Sequence, residues 1–172
     1  MIELLRKRRS IRRYTEQEVE EEKISLLTEA ALLSPSSKGI KPCEIITVTD
    51  RNILKKLSEA KRHGSEFLKY APLAIIVLAD TSLSDAWIED ASIISIVIQL
   101  EAESLGLGSC WIQVRNRYHK EGVTAGRYIA DILGIPERYS VESIIAAGYP
   151  DEHIEPHSKI LLRYDKVHHE KY

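Results

Sequence analysis

A chain of 172 residues, 44% hydrophobic and 29% charged, has the length and composition of one ordinary globular domain. Its formal charge of -2 and pI near 6.3 give it no overall attraction for nucleic acid or an anionic membrane. The most apolar stretch, Ala91 to Leu100, is interrupted by Ser92, Ser95 and Gln99 and falls short of the roughly 20 residues that span a bilayer.

Ile2 to Arg8 forms a short predicted helix that ends in a basic cluster. Thr15 with Glu18 has the form of a capping box and predicts the start of a second helix, in which Ile24, Leu27, Ala30 and Ala31 recur at the helical period until Ser34-Pro35 stops it. The polar loop Ser34 to Gly39 leads through Pro42 into a β-branched strand, Glu44 to Val48, and Asp50 caps the helix that follows. A second strand is predicted at Ala74 to Leu78. From about Asp85 to Leu105 runs a long helix whose segment Ile93 to Ile98 is apolar on nearly every side, the pattern of a helix surrounded by other elements, and Gly106 ends it. Cys110 to Val114 is a third strand, Thr124 caps a helix through Leu133, and Ser143 to Ala147 is a fourth strand turned off by Gly148-Tyr149-Pro150. Strands alternating with helices after two initial helices predict a single layered α+β or α/β domain around one sheet, followed by a polar tail, 151–172, with little periodicity.

Several chemistries lack their signatures. There is no Gly-x-Ser-x-Gly elbow, no phosphate-binding Walker loop and no paired-carboxylate motif. The Gly-x-Gly of Leu105 to Trp111 follows a helix and enters a strand, the reverse of a dinucleotide fingerprint, so Gly106 and Gly108 are expected to be a helix stop and a tight turn. His153 and His157 are four apart, but Pro156 breaks the helical ligand face and no further ligand completes a metal site. Cys43 and Cys110 stand alone, without Cys-x-x-Cys spacing or a preceding signal peptide, the pattern of inert thiols in a reducing cytoplasm.

The sharpest charge feature is Arg6 to Arg13, six cationic side chains around Ser10. Arginine forks and a serine hydroxyl suit a mononucleotide phosphate, while the same cluster is also the composition of a solvated basic face or an RNA contact. The serine loop is equally a ligand loop or a plain turn.

Taken in order, Arg8-Arg9-Ser10-Ile11-Arg12-Arg13-Tyr14, Ser34-Pro35-Ser36-Ser37, Glu89-Asp90-Ala91-Ser92, Leu105 to Trp111, Ile135-Pro136-Glu137 and Gly148-Tyr149-Pro150 resemble the nitroreductase family over nearly the whole chain. The resemblance implies a single FMN-binding domain, 1–172, with a three-layer α+β fold, a mostly antiparallel central sheet and a long central helix. It also implies an intertwined homodimer, its tail 151–172 crossing to the partner, with no part for nucleic acid, membrane or metal. By the same resemblance Arg8, Arg9, Ser10 and Arg12 hold the FMN phosphate and ribityl chain, and Pro35, Ser36 and Ser37 reach that flavin from the partner. Trp111, Ile112, Gln113 and Val114 run past the isoalloxazine with a backbone N–H toward N5, and Lys159 or Arg163 supplies a late cation near the phosphate. No side chain is assigned as acid or base. The implied reaction is ping-pong: NADH or NADPH reduces FMN, which then reduces an electron-poor acceptor such as a nitroaromatic, quinone or flavin. A non-catalytic FMN-storing or sensing protein of the same fold is the alternative. The chain departs from the common family pattern at Gly39, Lys41, Cys43 and Val97.

Overall fold

The computed structural model describes residues 1–172. Four antiparallel strands, β1 (Cys43–Val48), β2 (Leu73–Asp80), β3 (Gly108–Gln113) and, last in the chain, the long strand Tyr139–Gly148, form one sheet. With the short hairpin strands β4 (Tyr118–Lys120) and β5 (Val123–Thr124) counted between, that last strand is β6, and the order across the sheet is β1-β2-β6-β3. The period-two rule divides the core. Ala74, Ile76, Ile144 and Ala146 face one side, with α3 (Arg51–Leu57) and α5 (Ala125–Leu133). Leu73, Ile75, Ile145 and Ala147 face the other, with α2 (Glu21–Leu33) and α4 (Trp87–Ser104). The result is the three-layer α+β arrangement. Because β2 and the end of β6 are buried on both faces, they are continuous apolar runs rather than alternating ones.

Local chemistry sets most boundaries. Asp50 accepts hydrogen bonds from the N–H groups of Asn52 (2.8 Å) and Ile53 (2.9 Å), and Thr124 Oγ1 accepts from Arg127 N–H (3.1 Å). Gly106 and Gly134 end α4 and α5 in the left-handed region. The capping box is a correction: α2 begins at Glu21, six residues after Thr15, with no side-chain cap. Thr15 is engaged elsewhere, its N–H donating to Tyr149 C=O at 2.9 Å beside a Tyr14–Pro150 bridge, so tertiary pairing overrides the local signal.

The central helix also differs from expectation. Its Ala91, Ser95, Ile98 and Gln99 are buried, with Ser95 Oγ 2.8 Å from Ser143 Oγ of β6, but Ile94, Ile96 and Val97 are only half-buried and Ile93 is 36% exposed. One chain covers only part of this helix.

Candidate functional site

The basic cluster follows helix α1 (Ile2–Lys7) and is pinned along the edge of the sheet. Ser10 bridges Ser109, and Ile11 N–H donates to Ser109 C=O at 2.9 Å. Gly108, expected in a tight turn, is instead the first residue of β3. Its missing side chain is the space into which Ile11 packs. Behind the cluster lies the start of the tail: Glu152 Oε1 accepts from the N–H groups of Arg12 (2.5 Å) and Arg13 (3.1 Å), Arg9 donates to Glu155 C=O, and His157 N–H donates to Arg6 C=O (2.9 Å). Residues 151–157 thus brace their own chain's cluster, whereas residues 158–172 are exposed throughout. Lys159 lies in that exposed part without an ion pair, and Arg163 pairs with Asp165 at 2.6 Å.

The edge of β3 offers backbone donors. Since Ser109 C=O points outward to Ile11 and Val114 N–H points inward to Glu142 C=O (3.0 Å), strand alternation turns the N–H groups of Trp111 and Gln113 outward and those of Ile112 and Val114 toward β6. The side chains there form a chain of hydrogen bonds. Trp111 Nε1 donates to Gln113 Oε1 (2.9 Å), and Gln113 Nε2 donates to Glu142 Oε1 (2.9 Å). The buried Glu142 keeps its other oxygen without a hydrogen bond, 4.0 Å from Arg115 Nε. Arg115 in turn lies over Trp87 at 5.9 Å.

A cleft of about 510 Å³ opens on this edge, bordered by Arg12, Cys110, Trp111 and Gln113 together with Lys61, Arg115 and Arg117. Burial pushes the Cys110 thiol up, against the lowering effect of Arg12, Arg8 and Lys61. The arginines of the basic cluster and the outward N–H groups are what a phosphorylated, planar, electron-accepting ring requires, and the residues present therefore fit FMN. Lys61 and Arg117 were not legible in the sequence as neighbours of this edge. They stand on loops without periodicity, and only the topology brings them to β3.

The serine loop lies elsewhere. Ser37 N–H donates to Asp90 Oδ1 (2.8 Å) in the first turn of α4, Ser36 Oγ accepts from Lys41 N–H (2.9 Å), and Lys41 Nζ binds the carbonyls of Leu32 and Ser34 at the end of α2. Pro35 and Ser36 border a small gap against Cys43 and Ile94. The basic cluster sits by the other end of α4, where burial raises the Glu103 carboxyl and the charges of Lys7 and Arg8 lower it. Glu103 lies thirteen residue steps along the helix from Asp90, roughly 20 Å at 1.5 Å per residue. The sheet agrees, because the loop enters β1 at one edge and the basic cluster docks on β3 at the other. One chain does not bring Arg8, Arg9, Ser10 and Arg12 together with Pro35, Ser36 and Ser37.

This fold and edge site define a class, the three-layer α+β flavoprotein. The model of the "Nitroreductase family" matches residues 5–65 and 59–149. An FMN-dependent nitroreductase of Clostridium difficile R20291 has a solved structure similar to this chain, with TM-score 0.99 and 50% identity over 100% of both chains. A "Putative NADH dehydrogenase/NAD(P)H nitroreductase" of Archaeoglobus fulgidus is 36% identical over 99% of this chain and 98% of its own length. An "NADPH-flavin oxidoreductase" of Vibrio harveyi is 29% identical over 90% of this chain and 67% of its own. The chain belongs to the nitroreductase family.

Proposed function

We propose that the chain is an NAD(P)H-dependent flavin oxidoreductase that works as a homodimer, each FMN held between the basic cluster Arg8 to Arg12 of one subunit, acting as a phosphate clamp, and the serine loop of the other. The observation that carries this reading is the separation of the two polar segments at opposite ends of α4, which one ligand spans only if a second copy supplies the missing wall. The uncovered apolar surface of Ile93, Ile160 and Leu161 supports the same conclusion.

Arg8, Arg9 and Arg12 neutralise the phosphate, with Ser10 completing the cradle. The outward N–H of Trp111 or Gln113 would face a bound ring, so that a fixed backbone dipole, not a side-chain acid, would favour negative charge there. When bound, FMN supplies the hydride chemistry, taking electrons from NADH or NADPH and passing them to an electron-poor acceptor such as a nitroaromatic, a quinone or a free flavin. Names of the relatives, among them an NADPH-flavin oxidoreductase and an "FMN reductase [NAD(P)H]" of Bacillus subtilis, support this class. The test is the absorption spectrum of the purified protein. Expected are flavin bands that bleach on anaerobic addition of NADH or NADPH and return with a nitroaromatic or quinone. Bands that never bleach would assign the chain as an FMN carrier, and protein unable to take up added FMN would refute the flavin reading altogether.

A further inference from the structure

The cleft beside β3 holds more positive charge than a flavin phosphate needs. Nine residues line it, of which Arg12, Lys61, Arg115 and Arg117 are cationic and none is acidic. Arg12 belongs to the clamp, and Arg115 has Glu142 at 4.0 Å. Lys61 and Arg117 have no ion pair, and the side chain of Arg117 donates only to the carbonyl of its neighbour Asn116.

Their proximity is built in. Arg62 N–H donates to Tyr118 C=O (3.2 Å), and His119 Nδ1 meets Glu59 C=O at 2.7 Å while its ring stacks on Tyr128, so the segment after α3 is tied to the β4 strand on both sides of Lys61 and directly after Arg117. The Lys61 ammonium is held below its ordinary pKa, first by burial and then by the charge of Arg117. The carboxylate acting on it, Glu66, has a weaker effect and accepts a hydrogen bond from Gly64 N–H at 2.7 Å. Two like charges held near each other without an ion pair repel, and a bound anion relieves that repulsion.

We propose that Lys61 and Arg117 form an anion subsite at the rim of the flavin cleft, which takes a carboxylate or phosphate of the molecule exchanging electrons with the flavin and makes the enzyme selective for anionic substrates. Lysine supplies a point charge and arginine a planar fork, a pair suited to one oxyanion approached from two sides. The inference rests on the flavin reading above.

The test uses the FMN-loaded, oxidised protein, whose clamp is already filled. Calorimetric titration with 4-nitrobenzoate and with its neutral counterpart 4-nitrobenzamide is compared between wild type and Lys61→Met/Arg117→Met. Wild type is expected to prefer the carboxylate by at least about tenfold, the size of one charge-assisted hydrogen bond, and the double variant to lose that preference while keeping its FMN. A rise in KM for NADH alone would assign the subsite to the donor's pyrophosphate, and a rise for 4-nitrobenzoate alone to the acceptor; either supports it. Equal loss for both nitro compounds, no change, or release of FMN overturns it, the last because the cations would then serve the cofactor. If the double variant misfolds, single Lys61→Gln and Arg117→Gln variants carry the comparison. Protein that takes up no FMN removes the flavin reading and this inference together, whereas holoprotein indifferent to substrate charge removes the subsite alone.

Discussion

Gly108 and Ile11 pack so closely that a Cβ on Gly108 would stand 2.8 Å from the Cβ of Ile11. That atom is fixed to the backbone, so no side-chain rotation relieves the clash. Gly108→Ala is expected to lift Ile11 from β3 and loosen the adjoining clamp, costing about 1–3 kcal/mol of stability as overpacking does and weakening FMN binding in parallel. Urea unfolding and fluorescence titration with FMN read the two effects; unchanged values of both would show that Arg8 to Arg12 does not depend on this docking.

Asp90 anchors the serine loop through Ser37 N–H while its second oxygen has no partner. Asp90→Ala removes a hydrogen bond to a charged acceptor, worth about 1.5–3 kcal/mol, and is expected to lower FMN affinity tenfold or more because the loop loses its seat. Asp90→Asn, which keeps an acceptor oxygen, is expected to retain most of the affinity. Equal FMN affinity in all three proteins would exclude the loop from the site.

Cys43 gives a pH prediction. Burial, with the charge of Asp90 adding to it, pushes its thiol up to about 11 from an ordinary 9.0. Between those values the unfolded chain releases this proton while the folded chain keeps it, so the thiol's contribution to stability is complete below pH 9 and is lost as pH rises toward 11. Cys43→Ser is expected to flatten the fall in melting temperature over that interval, and wild-type Cys43 is expected to alkylate slowly at pH 8, where little thiolate exists. Rapid iodoacetamide labelling at Cys43 in the native protein would contradict this.

The exposed end of the tail predicts the oligomeric state. Ile160 is 92% and Leu161 77% exposed, with Tyr164 and Val167 also open to solvent. Replacing Ile160 and Leu161 by aspartate is expected to shift sedimentation from dimer toward monomer and to lower FMN affinity with it. A variant that stays dimeric with full FMN content would assign the dimer to other surfaces.

Much of this was legible in the sequence because local chemistry carried it. The four strands of the sheet, the caps at Asp50 and Thr124 and the stops at Ser34 and Gly106 depend on side chains a few residues apart. What was not legible depends on distant partners. Thr15 resembles a cap but pairs with Tyr149, and the β4–β5 hairpin is too short for a periodic signal. The clamp and serine loop were visible as segments, but their separation became measurable only with α4 between them. The outward direction of Trp111 and Gln113 N–H likewise followed from the strand register, not from residue type.

The most direct test of the proposed two-subunit site is subunit complementation. An Arg8→Ala/Arg12→Ala protein lacks the clamp, a Ser36→Glu/Ser37→Glu protein has acidic charge in the loop, and each alone is expected to bind little FMN. Differently tagged subunits unfolded together, refolded and purified as the mixed dimer bring one intact clamp and one intact loop to the same site. Expected is recovery of one FMN per mixed dimer, read from flavin absorbance. Mixed dimers as empty as their parents would mean that clamp and loop act within one chain, contrary to the site proposed.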